Sequence, residues 1–258
     1  MSARRARRRG PALAVVLALA VSLAPAPPAQ AHGGDGRGPI VNQVHVTVVK
    51  DGRDKAKARF QQETTRTRAL NARNEALAYA SCTGCTATAV AFQVVLAGRA
   101  RDVTVDNRAV AVNERCDSCE TFAGAYQFVV AGGGDLRLTR AGAAAIKALK
   151  RQVESVKRAG LGALEAQARV DDLANQVLQV LVTEVVVEAG RPAGRGALRG
   201  PVPDAPLDAP VDAPVDAPVD ARVDARAEAQ ADGTVVARSS APGVSVTLHR
   251  DVDLDPAG

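Results

Sequence analysis

Cys82-Thr-Gly-Cys85 followed by Ala89-Val-Ala-Phe-Gln-Val-Val95, and Cys116-Asp-Ser-Cys119 followed by Ala123-Gly-Ala-Tyr-Gln-Phe-Val129, are one pattern written twice. The offset is 34 residues and holds from Cys82/Cys116 through Gln93/Gln127. Self-similarity at a period of about 20–50 residues marks a repeated supersecondary unit. Moving upstream by 32 residues, Asn74 falls on Asn42, the Cys82–Cys85 segment on Lys50-Asp-Gly-Arg53, and Phe92-Gln93 on Phe60-Gln61. This predicts a third, degenerate copy without cysteines.

Each copy reads as strand, two-residue turn, strand. Val44, Val46 and Val48 alternate with Gln43, His45 and Thr47, the period of a strand, and Asp51-Gly52 is a hairpin-turn signal. In the middle copy the alternation places Leu77, Tyr79, Val90, Phe92, Val94 and Leu96 on one face. Cys82, Cys85, Ala87, Ala89, Ala91 and Gln93 share the other. Phe122, Tyr126, Phe128 and Val130 continue the large face, and Gln61, Gln93 and Gln127 form a row on the small one. Asn107 is offset from Asn74 by 33 residues, not 34, so an extra residue precedes Cys116; a β-bulge there keeps Ala109 and Ala111 in phase.

Beyond Gly132-Gly-Gly-Asp135, Thr139 is a candidate cap for a helix whose apolar positions Ile146, Leu149, Val153 and Val156 recur at three and four residues. Its other face carries Lys147, Lys150, Arg151, Lys157 and Arg158, and Gly160 and Gly162 end it. A second helix is expected from Ala163, with the stripe Ala166, Val170, Leu173, Val177 and Val180. The expected fold is α+β: an antiparallel sheet of tandem β-hairpin repeats, its large-residue face packed against a C-terminal helical hairpin. That domain spans 40–187. Residues 188–258 read as a disordered Pro/Ala/Asp-rich tail, since Asp-Ala-Pro-Val recurs from Asp204 and a proline at every fourth position favours an extended spacer. Val244–Leu248 is a candidate short strand within it.

Residues 1–31 have the form of a secretory signal peptide: Arg4, Arg5, Arg7, Arg8 and Arg9, an apolar run from Pro11 to Ala24, and Ala29-Gln30-Ala31. The run is shorter than the roughly 20 residues of a membrane helix, so no transmembrane segment is expected in the mature chain. Removing the five signal arginines from 33 basic residues leaves 28, against 28 acidic ones. A neutral mature chain lacks the basic excess that nucleic acid requires. From Pro201 onward eleven acids face four arginines, so the opposite charges separate between tail and body.

Four cysteines in an exported chain favour disulfides. Residues flanking a two-residue hairpin loop lie about 5.5 Å apart between Cα atoms, within reach of a disulfide. Cys82–Cys85 and Cys116–Cys119 are therefore the preferred pairings, with no cofactor. Three readings stand beside that one. The four thiolates are also a structural zinc set, since successive hairpin tips in a meander point the same way about 10 Å apart, although the 30 residues between the pairs exceed the usual spacing of roughly 15–20 and export disfavours it. Redox catalysis needs an activating cation or helix terminus, and Asp117 and Glu120 oppose it. Disulfides between hairpins complete the set. His32, His45 and His249 are scattered and expected at the surface, and no H-E-x-x-H, G-x-S-x-G, P-loop or dinucleotide motif occurs. The Gln row reads as structural.

The segments Ala78-Tyr-Ala-Ser-Cys-Thr-Gly-Cys85, Ala111-Val-Asn-Glu-Arg-Cys-Asp-Ser-Cys119, Leu138-Thr-Arg-Ala-Gly142 and Ala166-Gln-Ala-Arg-Val-Asp-Asp-Leu173 resemble a family of exported actinobacterial proteins with paired C-x-x-C repeats. The resemblance covers 40–187. Some members of that family carry the name "peptide zinc metalloprotease" protein. This chain has neither the H-E-x-x-H nor the membrane helices such an activity requires, so the name implies at most a module associated with a membrane zinc peptidase. The sequence thus points to a secreted or envelope-located, non-enzymatic structural or interaction protein with an unidentified envelope or protein partner. A thiol- or zinc-binding protein is the alternative.

Overall fold

A computed structural model describes residues 38–188, 228–229 and 233–255. The expected signal peptide and the Asp-Ala-Pro-Val segment lie outside the described residues. The three copies supply six strands: β1 (Ile40–Val48) and β2 (Asp54–Thr64), β3 (Ala69–Ala80) and β4 (Thr86–Ala97), β5 (Asp102–Asn113) and β6 (Glu120–Gly132). They do not form hairpins. The incoming arms pair with one another in parallel, in the order β1-β3-β5, and the outgoing arms pair in parallel as β2-β4-β6. The registers are the sequence offsets themselves: Asn42 opposite Asn74, Asn74 opposite Asn107, Phe60 opposite Phe92, and Phe92 opposite Tyr126.

This corrects the expected antiparallel sheet, and the cause lies in the pattern of small residues. In the second and third copies both arms carry Ala on the inward positions, and β1 adds Val44, Val46 and Val48, so the two sheets face each other across one thin layer. Val44, Val46, Val48, Ala76, Ala78 and Ala80 pack there against Ala87, Ala89, Ala91, Ala123 and Ala125. Each turn therefore folds one arm over the other, leaving the backbone of each arm to bond its counterpart in the next copy. The result is a short two-sheet solenoid, one copy per coil.

The turns stack in the same way. Gly52 and Gly84 occupy equivalent positions at φ 62° and 59°, and Ser118 takes the third at φ 55°. Gly52 N–H donates to Thr83 O at 2.9 Å, and Gly84 N–H to Asp117 O at 2.7 Å. The extra residue of the third copy is accommodated after β5 ends, where Arg115 is left-handed at φ 50°, and not as a bulge within the strand.

The outer face of the β2-β4-β6 sheet carries the large residues. Phe60, Val90, Phe92, Phe122, Tyr126 and Phe128 form the main core with two helices, α1 (Arg140–Ser155) and α2 (Ala163–Glu184). Thr139 caps α1 as expected, its hydroxyl accepting from Gly142 N–H at 3.0 Å. A 3-10 turn, Val156–Arg158, follows α1. Ile146, Leu149, Val153, Ala166, Val170, Leu173 and Val177 face inward, and at the end of α2 Val180 packs half-buried against the core beside the fully buried Leu181. Leu77 and Tyr79 depart from expectation. Being on β3 they belong to the other sheet, where they face outward and half-exposed.

Short strands β7 (Asp135–Leu138) and β8 (Val185–Glu188) bracket the helices and pair antiparallel. The chain then returns to the solenoid. β9 (Glu228–Ala229), β10 (Thr234–Arg238) and β11 (Val244–Asp255) extend the second sheet in the order β2-β4-β6-β11-β10-β9. The strand expected at Val244–Leu248 is thus longer, and it lies inside the sheet, antiparallel to β6 over its whole length. Among the described residues no helix is long and apolar enough to cross a membrane.

Candidate functional site: the stacked cysteine turns and the ends of the solenoid

Parallel stacking brings the cysteine turns onto adjacent coils instead of leaving them two strands apart. Cys82 and Cys85 lie at disulfide distance, 1.96 Å between sulfurs, and Cys116 and Cys119 likewise at 2.23 Å. Their Cα separations, 6.2 and 5.7 Å, suit a link across the tip of each turn. The two pairs also touch each other: Cys85 Sγ is 3.2 Å from Cys119 Sγ, and all four sulfurs lie within 4.8 Å. Cys82 N–H points at Cys116 Sγ at 3.4 Å. Cys82, Cys85 and Cys119 are buried, and Cys116 is half-buried. Beneath them the cysteine-free turn joins the stack through Asp51, whose Oδ1 accepts from Thr83 N–H at 2.8 Å.

Four sulfurs around a tetrahedral zinc at about 2.3 Å from the metal would stand about 3.8 Å apart. The separations within each pair, 1.96 and 2.23 Å, are shorter than that, so Cys82, Cys85, Cys116 and Cys119 would hold zinc only once both pairs are reduced and spread apart. As a redox centre the cluster is less well placed. A reactive thiol needs access and an electropositive neighbour, whereas these sulfurs are largely buried in a layer of alanines and the second turn carries Asp117.

Two ladders of amides run through the layer. Asn42 Nδ2 donates to Asn74 Oδ1 at 2.7 Å, and Asn74 Nδ2 donates to Asn107 Oδ1 at 2.9 Å. Each also donates to a carbonyl of the opposite sheet: Asn42 to Phe92 O, Asn74 to Ala91 O, Asn107 to Ala125 O. Gln127 Nε2 donates to Gln93 Oε1 at 2.7 Å. Gln61, expected in that row, bonds to Glu63 instead. The recurrence of Asn at one position, Asn42, Asn74 and Asn107, is the sequence signal for the first ladder.

The last coil is closed by a feature the sequence reading missed. Asp251, Asp253 and Asp255 of β11 accept from the backbone N–H groups of Ala109, Ala111 and Asn113 at 2.9, 2.8 and 2.7 Å. The carboxylates thereby satisfy the free edge of β5 while the backbone of β11 covers β6. The alternation Asp251-Val-Asp-Leu-Asp255 was the legible sign. A cluster of one buried and two more accessible side chains anchors this cap to the helices. Tyr126 O–H donates to Asp171 Oδ1 at 2.5 Å and Arg250 Nη2 to Asp171 Oδ2 at 2.6 Å. Burial, and then the hydrogen bond to Asp171, push the Tyr126 hydroxyl well above the ordinary tyrosine range.

Of the histidines, His45 is exposed on β1, 2.8 Å from Glu75 Oε1. His249 is half-buried on β11, within 3.4 Å of Thr234 Oγ1, and His32 lies outside the described residues. Burial pushes the Glu75 carboxyl upward, but hydrogen bonds from His45 and Arg73 outweigh it and hold the group below its ordinary value.

No protein-family model, no curated protein and no solved structure matches this chain.

Proposed function

We infer that this chain is an exported, non-enzymatic structural or interaction protein of the cell envelope or extracellular space. Its cysteines serve as staples that hold the turns of a thin solenoid. One observation carries the reading: all four cysteines are spent in two pairs, at disulfide distance, on successive turns of one stack. The alanine layer between the sheets supports it, because small side chains bury little area there and the turns that close the layer gain from a covalent link. Burial of three of the four sulfurs suits a structural link better than an exchanging one.

Intact mass of the secreted protein under denaturing conditions, before and after thiol alkylation, tests this. The expected result is a loss of four hydrogens, no alkylation without prior reduction, and no bound metal. A second reading is favoured by the mutual approach of all four sulfurs within 4.8 Å. Under reducing conditions Cys82, Cys85, Cys116 and Cys119 would hold a structural zinc ion. Four alkylated thiols appearing only after chelation, with stoichiometric zinc in the native mass, would replace the first reading with the second.

A further inference from the structure

The two ends of the solenoid are not equivalent. β11 closes the last coil. Among the described residues, β1 pairs only with β3, and β2 only with β4, so the first coil presents two bare strand edges. The ladder is open at the same end. Asn74 Oδ1 and Asn107 Oδ1 each accept from the amide of the preceding coil, whereas Asn42 Oδ1, fully buried, has no partner. A buried carbonyl oxygen left unbonded calls for a donor.

The inward-facing row of β2 is basic along its first half, Lys55, Lys57 and Arg59, and runs on through Gln61 to Glu63. Lys55, Lys57 and Arg59 occupy the positions in register with Ala87, Ala89 and Ala91, the inward face of the layer, yet they are exposed, since among the described residues no further coil covers them. Lys55 Nζ reaches the edge carbonyl of Thr47 at 3.4 Å. Lys57 and Arg59 join Lys157, Gln43 and His45 around an open cavity of about 290 Å³. Among the described residues, Lys57, Arg59 and Lys157 make no ion pair. The carboxylate nearest in the network, Glu75, is held by His45 and Arg73.

The geometry points to a docking edge for an extended acidic segment of a partner protein, added to β2 as a further strand. The molecule's own cap is the template. Asp251, Asp253 and Asp255 lie in register with the inward positions Ala125, Ala123 and Thr121 of β6. A strand placed on β2 in the same manner sets its alternate carboxylates beside Lys55, Lys57 and Arg59, where opposite charges on neighbouring strands attract. A second copy is the poorer occupant, because pairing two β2 edges would set the basic rows against each other.

The proposal rests on the interaction-protein reading, and one experiment separates the two. Disulfide-intact full-length protein is titrated, at low salt, with a fluorescent peptide alternating Asp with Thr and Val, and its cysteine state is recorded by mass. Expected is saturable binding, weakened about tenfold by K57E/R59E and retained by K57R/R59K. A peptide of the same composition with its Asp residues in one block is expected to bind about tenfold more weakly. Equal affinity for the two peptides, or for wild type and K57E/R59E, overturns the docking edge, provided circular dichroism shows the variant folded. Concentration-dependent dimerisation abolished by K57E/R59E also overturns it in favour of self-association. Peptide binding by a protein with zinc-bound thiols would overturn only the staple reading.

Discussion

The carboxylate of Asp253 accepts a hydrogen bond at 2.8 Å from the backbone N–H of Ala111, 142 residues earlier in the chain. Through this bond and its neighbours at Asp251 and Asp255, the end of the chain finishes the coil that Ala111 leaves open. Replacing Asp253 with Ala leaves that amide without its acceptor. Hydrogen bonds to a charged group contribute about 1.5–3 kcal/mol, and the half-exposed position of Asp253 places the loss near the lower end. Asp253→Asn keeps an acceptor oxygen and should lose less. Urea unfolding of the two variants checks both the size and the order.

Asn74 lies mid-ladder, bonded to Asn42, Asn107 and Ala91 at once. Asn74→Ala strips partners from buried groups on two coils and should destabilise the domain by about 2–4 kcal/mol, measured by chemical denaturation. Asn107→Ala, at a half-buried site, should cost less.

Each cysteine pair closes a loop of sequence separation 3, so a staple should contribute about 2 kcal/mol through the unfolded chain. Cys82→Ser/Cys85→Ser is expected to lower the unfolding free energy by that amount, read from urea denaturation, without changing the fold. The single variant Cys82→Ser is the sharper test. It leaves the Cys85 thiol 3.2 Å from Cys119 Sγ, close enough for its thiolate to attack that sulfur and displace Cys116. Peptide mapping should find a Cys85–Cys119 link and a free Cys116 thiol.

The Tyr126 hydroxyl, held protonated by burial and by Asp171, ties stability to high pH. Its folded pKa is raised, so its contribution is complete below the unfolded value of 10.0 and is lost progressively as pH rises above it. Tyr126→Phe should remove this alkaline loss and cost about 1–3 kcal/mol at neutral pH, since Asp171 keeps Arg250. Glu75 has the opposite sense. Its folded pKa is depressed, so its contribution is present above the model-peptide value of 4.5 and disappears as pH falls through the folded value. Thermal melts between pH 3 and 11 on wild type, Tyr126→Phe and Glu75→Gln check both limbs.

Much of this molecule was legible from local pattern. The strand alternations, the turn at Cys82–Cys85, the cap at Thr139 and most of the two helical stripes depend on neighbours within a few residues, and local pattern is enough to specify them. The direction of strand pairing it left open. An alternation of period two is the same for an arm that bonds its own hairpin partner and for one that bonds the next copy. Only the tertiary structure decides, because the alanines of both arms gain by facing each other across one layer. From that choice follow the meeting of all four sulfurs, the Asn ladder and the two unlike ends. The cap was hidden for a different reason. Asp251, Asp253 and Asp255 look like a solvated terminus until the chain returns, and their partners 142 residues away are fixed by the register of β11 on β6, not by any local signal.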